Sequence, residues 1–321
     1  MTVILAKELS SPPESYSSLV IRRFLRHRMA TFFLIILFFI TLAWLIAPLV
    51  PSSPIRLAQA YSSPMTSING QWHLLGTDEL GRDYLTQILR AGRVSLTVAG
   101  TVSIISAIIG ITLGLLAGYF GGWIDAIITF ILETFSTFPL LTILLIITAI
   151  VSKMDFSFWP FDLFTPLLTP LMLIEDYEVK KIVPVILVLA LLNWPGTARQ
   201  MRGMALSVRE YTYVKAARAL GASDGRIMLR HIFPNAWPPL IVDFTLGLNF
   251  ALVLESALSF LGYGIQNTPT WGNMLKFAVG KAYDYFWMPL IPGLPILLCS
   301  LAINYIGDGL RDALDPRLKM D

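Results

Sequence analysis

The sequence predicts an all-α membrane protein with about six transmembrane helices, and three observations predict it. First, 55% of the 321 residues are hydrophobic and only 14% are charged, with a mean hydropathy of +0.67. A water-soluble domain carries about a quarter of its residues as Asp, Glu, Lys and Arg. Second, the apolar residues gather into runs near the ~20 residues that a helix needs to cross hydrocarbon. Third, all 24 Lys and Arg fall outside those runs.

The runs can be taken in order. Residues 1–20 are polar, with Ser10, Ser11, Pro12 and Pro13, and read as a loose tail. The first span is Met29–Val50, preceded by Arg22, Arg23, Arg26 and Arg28. That flank resembles a signal peptide, but the apolar run is too long and no small-x-small site closes it, so a retained crossing is expected. Pro51–Arg93, with Gly70, Gly76 and Gly81, is too polar for hydrocarbon and is expected to be extracytoplasmic. Within it, Arg82 is expected to pair with a nearby acid in a turn-rich cap.

The second span is Val94–Tyr119. Its Gly110, Gly114 and Gly118 recur at every fourth residue, a spacing that lets two helices approach closely. The turn Phe120-Gly121-Gly122-Trp123 leads to a third span, Ile124–Val151, which Pro139 should kink. Residues 152–181 contain Pro160, Pro166 and Pro170 and read as an interfacial insertion, with Trp159 suited to the headgroup zone. The fourth span is Ile182–Ala198, the fifth Trp237–Leu261 and the sixth Met288–Gly309. Residues 1–28 are thus expected to form a cytoplasmic tail, 29–92 the first helix with its outer segment, and 93–321 the core. With both termini inside, 15 Lys and Arg lie on the inner side and nine on the outer, as the positive-inside rule requires.

Composition excludes several chemistries. The single Cys299 lies in an apolar run, so no internal disulfide forms and the residue reads as a packed small hydrophobe. His27, His73 and His231 are too isolated to hold a metal, and no phosphate-binding Gly-x-x-x-x-Gly-Lys-Ser/Thr occurs. A membrane-embedded hydrolase lacks a nucleophile and base at mid-depth. A stand-alone secondary transporter or channel would show more spans and an internal repeat. The net charge of +3 is too small to argue for nucleic acid.

The basic segment Arg199–Pro234 carries the most information. Glu210–Leu220 consists of good helix formers. Gly221 supplies a left-handed stop. Ser223 or Asp224 can cap a second short helix, Gly225–Ile232, which Pro234 is expected to end. Two short helices meeting at Gly221-Ala222-Ser223 make a rigid elbow that a partner protein can push.

The run Tyr213 to Asp224 (Tyr-Val-Lys-Ala-Ala-Arg-Ala-Leu-Gly-Ala-Ser-Asp), closed by His231-Ile232-Phe233-Pro234-Asn235, resembles the EAA loop of ABC-importer permeases. It departs in Lys215 where the motif name has Glu, and in Phe233 where Leu is usual. Trp72-His73-Leu74-Leu75-Gly76-Thr77-Asp78-Glu79-Leu80-Gly81-Arg82-Asp83 is similar to the "C" subunits of dipeptide, oligopeptide and nickel permeases. So are Gly92-Arg93-Val94-Ser95-Leu96, Glu255 to Gly262 and Gly307 to Arg317. The likeness runs from about Arg22 to Lys319 and leaves residues 152–181 unexplained. It implies the type I ABC importer permease fold, in which the elbow docks as a coupling helix in a cleft of the ATPase. By it, Lys215, Ala216, Ala217, Gly221, Ala222, Ser223, Asp224, Arg226 and Pro234 are the expected coupling residues. The implied partners are a second, homologous permease, two ABC ATPases and an extracytoplasmic solute-binding protein. ATP and Mg would sit on the ATPases and no cofactor on this chain. The implied solute is a peptide or similar small molecule.

Glu133, Asp243 and Glu255 fall inside predicted spans, where charge is expensive. Each either lines the solute path or is a structural partner of another helix. Asp243 and Glu255 lie about 18 Å apart along one helix at 1.5 Å per residue, so they do not form one site.

Overall fold

The computed structural model describes residues 16–47, 59–68, 70–137, 139–151, 166, 176–265 and 268–314. The expected tail, the end of the first span, most of the expected insertion and residues 315–321 lie outside them.

The order is α1 (Tyr16–Arg26), α2 (Arg28–Ile46), a hairpin of β1 (Thr66–Ile68) and β2 (Gln71–His73), α3 (Tyr84–Phe120), α4 (Gly122–Thr137), α5 (Leu140–Val151), α6 (Asp176–Val208), α7 (Thr212–Ala219), α8 (Asp224–Ile227), a π-helical turn (Met228–Ile232), α9 (Phe233–Phe260), α10 (Trp271–Val279) and α11 (Trp287–Leu314). Among the described residues, five helices are long and apolar enough to cross a membrane, and six crossings result if the bent pair α4 and α5 counts as one. Five of the expected spans are therefore present, with their ends adjusted, and the third is divided between α4 and α5.

α3 sets the frame. It begins at Tyr84, ten residues before the expected Val94, because Asp83 caps it by accepting from Thr86 N at 2.9 Å and from the Thr86 hydroxyl at 3.0 Å. At 1.5 Å per residue, its 37 residues span about 55 Å. One end holds the β-hairpin and the other the elbow. α3 packs closely on α6 through the glycine stripe. A Cβ on Gly110 would stand 2.7 Å from Thr197 Cβ, and one on Gly118 would stand 2.6 Å from Ala205 Cβ. One on Gly114 would collide with the Ala198 carbonyl and Met201 Cβ. Only a bare backbone permits that approach, and Ser106 uses it to donate to the Ala190 carbonyl at 3.1 Å.

The main core joins α3, α6, α9, α10 and α11 through Val98, Ile186, Leu189, Leu252, Leu258, Trp271 and Ile303. α2 packs on α11, where Gly309 lets Ala30 and Phe24 close in and Phe33 stacks on Tyr305 at 4.7 Å. The rest of α2 is largely uncovered, with Phe32, Ile35, Phe38 and Phe39 at least half exposed. Such a surface is stable against lipid or a partner helix.

Two expectations need correction. The third span is not one kinked helix: α4 and α5 meet at 93° around Pro139. Proline removes a backbone donor and clashes with the carbonyl four residues back. Here it ends the helix outright, and the Pro139 carbonyl accepts from Ile143 N at 3.2 Å to begin α5. Nor does Pro234 end the second short helix. It lies within α9 directly after the π-turn Met228–Ile232, an irregularity of the kind that accommodates a proline, and Asp224–Phe260 runs on as one helical path. The fourth span likewise runs on as helix to Val208, and its start at Asp176 takes in the last residues of the expected insertion.

The hairpin has no counterpart among the expected elements. Its signal is Asn69-Gly70, the dipeptide of a two-residue loop, with Ile68 paired to Gln71 across it and Gly70 at φ +78°. The expected cap is present. Asp78 accepts from Leu80 N at 2.9 Å, Arg82 N at 2.8 Å and Arg82 Nε at 2.7 Å.

Candidate functional site

The elbow is built from two halves with different chemistry on their two sides. Its inner side is apolar and rooted. Val214 of α7, Ile227 of α8 and Ile232 of the π-turn are buried against Leu115, Met201, Ala205 and Val208. Its outer side is open. Lys215, Ala216, Gly221, Ser223, Asp224, Arg226 and Pro234 are exposed, and Ala217 and Ala222 are half-buried. Leu220 stands at the tip with 89% of its surface in contact with solvent.

Local chemistry explains the bend. Gly221 N donates to the Arg218 carbonyl and Ala222 N to the Ala217 carbonyl, both at 3.0 Å. This is the paired closure that needs a left-handed residue just past the helix end, and Gly221 has φ +82°. Ser223 takes the cap position of α8 with extended backbone, although its hydroxyl makes no capping bond.

Residues outside the motif hold the elbow, and no sequence motif marks them. Tyr119, at the end of α3, donates from its hydroxyl to Asp224 Oδ1 at 2.5 Å. The Arg218 guanidinium lies 5.3 Å from the Tyr119 ring centre, and the hydrogen bond between the two raises the Arg218 pKa further. One phenol therefore ties both arms of the elbow to a membrane helix. Arg209 Nη1 donates to the carbonyls of Gly118, at 2.9 Å, and Tyr119, at 3.4 Å, which satisfies the end of α3. Arg202 grips Asp125 of α4 through Nε at 2.5 Å and Nη2 at 2.8 Å. At the start of α7, Lys215 lies 3.0 Å from Glu210. That bond, helped by Arg209, holds the Glu210 carboxyl below the usual carboxylate range.

The three intramembrane acids occupy three different settings. Glu255 is 1% exposed and is enclosed by hydroxyls. Ser259 donates to its Oε1 at 2.7 Å, and Ser256, Ser95 and Thr270 complete the cage. That places it as a joint between α9, α3 and the start of α10, where Trp271 Nε1 reaches the Ile88 carbonyl at 3.0 Å. Glu133 is exposed on α4. Asp243 accepts from the Thr197 hydroxyl at 2.5 Å and lines a cavity of about 460 Å³ between α4, α6 and α9.

Comparison with known proteins agrees with this architecture. Residues 110–320 match the family of binding-protein-dependent transport system inner membrane components. Residues 15–64 match the N-terminal TM domain of oligopeptide transport permease C. A dipeptide transport system permease protein of Alkalihalophilus pseudofirmus is 35% identical over 97% of this chain and 95% of its own length. A putative peptide transport system permease protein of Brucella abortus biovar 1 is 35% identical over 98% of this chain and 99% of its own. A putative peptide permease protein of Brucella suis biovar 1 is 35% identical over 93% of this chain and 90% of its own. An apolar helical bundle with a rooted, outward-facing elbow, matched along its length by such relatives, belongs to the family of binding-protein-dependent transport system inner membrane components: it is a multi-pass inner-membrane permease subunit of an ABC importer.

Proposed function

We propose that the solute is a peptide and that this chain forms half of the path that carries it. The relatives' names, dipeptide and peptide permeases alike, support the solute class. A second, homologous permease would supply the other half, and an extracytoplasmic solute-binding protein would deliver the peptide. Two ATPase subunits would hold ATP and Mg, and this chain would hydrolyse nothing itself. Both termini would be cytoplasmic, which puts the elbow on the ATPase side.

The observation that carries the coupling role is the two-sided elbow. An 89% exposed Leu220 between small residues is poorly placed in water and well placed in a cleft of another protein. The buried inner side makes the elbow stiff enough to pass a push to α3 and α9 through Tyr119 and the helical path from Asp224. Lys215, Ala216, Ala217, Gly221, Ala222, Ser223, Asp224, Arg226 and Pro234 belong to this surface or its hinge.

The test is Gly221→Asp in the complete transporter. The substitution puts a charged side chain in open space at the docking tip and forces a non-glycine into the left-handed region. The chain should still reach the membrane, while peptide uptake falls by about tenfold or more, the effect of losing 1.4 kcal/mol at the interface. Normal uptake would remove the coupling role. Mild detergent extraction of a tagged chain should bring down a second permease and an ATPase in comparable amounts. Recovery of this chain alone, active when reconstituted, would make it a self-sufficient transporter.

A further inference from the structure

The cavity between α4, α6 and α9 has an incomplete set of polar partners. Of the three intramembrane acids, Asp243 lines it, while Glu133 and Glu255 do not. Thr197 occupies Asp243 Oδ2 at 2.5 Å, and among the described residues Oδ1 receives no hydrogen bond from protein. Asn193 lies on the same wall. Its Nδ2 donates to the Gly247 carbonyl at 3.4 Å, which leaves its amide oxygen as a second open acceptor. Pro195 adds a third feature on that turn of α6, since it has no N–H to give to the Leu191 carbonyl four residues back.

A carboxylate with an open oxygen cannot face lipid cheaply, so this side of the α6–α9 pair faces water or solute. The remaining wall is apolar and partly bare, with Phe135, Leu246 and Phe250 beside Gly196 and Gly247. Arg199 also lines it, with Nη2 turned to the Leu132 carbonyl at 3.2 Å and to the Ser136 hydroxyl.

We propose that this cavity is a transit site for an organic ammonium group, held by Asp243 and Asn193 as the solute crosses. An ammonium brings three donors and no acceptor, which matches two open acceptors of which one is charged. The apolar wall suits the carbon chain that bears it, and Arg199 gives a zwitterion's carboxylate a partner of opposite sign. A volume of about 460 Å³ holds a small peptide. Asp243 thereby becomes a specificity residue that favours cationic over anionic peptides. The inference rests on the peptide reading above.

The test uses the complete complex in proteoliposomes with its binding protein outside, supplied with lysyl-lysine and glutamyl-glutamate together. The ratio of the two uptakes cancels differences in the amount of active complex. Asp243→Asn should lower the lysyl-lysine to glutamyl-glutamate ratio about tenfold, the loss of one charge-assisted contact, and Asp243→Glu should keep it near that of the parent. An unchanged ratio in Asp243→Asn overturns the proposal, and so does a parallel fall of both peptides, which marks a structural role alone. If Asp243→Asn does not assemble, Thr197→Val replaces it. Freeing Oδ2 should raise the ratio, and no change overturns the proposal. The same proteoliposomes are also offered a mixed pool of short peptides: a parent complex that imports none of them refutes the peptide reading itself, and the inference falls with it, whereas import of the pool with an unchanged ratio in Asp243→Asn overturns the inference alone.

Discussion

At the scale of single residues, Tyr119 joins parts of the chain 105 positions apart through its bond to Asp224. Tyr119→Phe keeps the ring over Arg218 and removes the hydroxyl. The expected cost is about 1 kcal/mol of local stability, read as faster hydrogen exchange in α7 and α8. Unchanged protection there would mean that the phenol does not hold the elbow. Gly221 makes a different prediction. Nothing lies within 4 Å of an added Cβ, so Gly221→Ala meets no clash and loses about 1–2 kcal/mol from backbone strain alone. Gly221→Asn should be milder, since Asn tolerates that region. Equal losses in chemical denaturation would mean that left-handed backbone strain does not set the cost at this position. Glu255 tests the hydroxyl cage. Glu255→Gln keeps acceptors for Ser259, whereas Glu255→Leu strands several buried hydroxyls at about 1–3 kcal/mol each. A lower melting temperature for Leu but not for Gln is expected.

At the scale of elements, the α3–α6 contact carries the bundle. Gly114→Leu should separate the two helices, because the Ala198 carbonyl and Met201 fill the space a side chain would need. Gly100→Leu, on the same helix with nothing within 4 Å, is the control. The first should lower the melting temperature in detergent by several degrees and the second should not, and equal effects would dismiss the glycine stripe as a packing device. Much of this scale was legible beforehand. The four-residue glycine period marked the close approach, and Gly221 marked the bend, because each depends on a local requirement that only glycine meets. The sharp break at Pro139 was read too gently, since its angle depends on what neighbouring helices allow. The continuity of α8 with α9 was missed because a proline early in a helix and a proline after one look alike in sequence. The hairpin was overlooked although Asn69-Gly70 advertised it.

At the scale of the whole molecule, class, approximate spans and the elbow follow from the chain alone. Hydrocarbon admits only long apolar helices, so composition and run length leave little choice, and a tight helix end needs its glycine wherever it stands. The sequence by itself therefore determined that this is a multi-pass helical membrane protein with a stiff bend between its fourth and fifth spans. Only the tertiary structure decided which acid is which. Glu255, Glu133 and Asp243 are alike as charges in apolar runs, and their surroundings depend on partners far away in sequence: Ser95 and Thr270 around Glu255, Thr197 and an open cavity beside Asp243. The same holds for Tyr119 and Arg209 behind the elbow. Hydrophobic period and glycine chemistry act locally and can be read along the chain. Hydrogen-bond partners are chosen by packing, so they become visible only once the helices are in place.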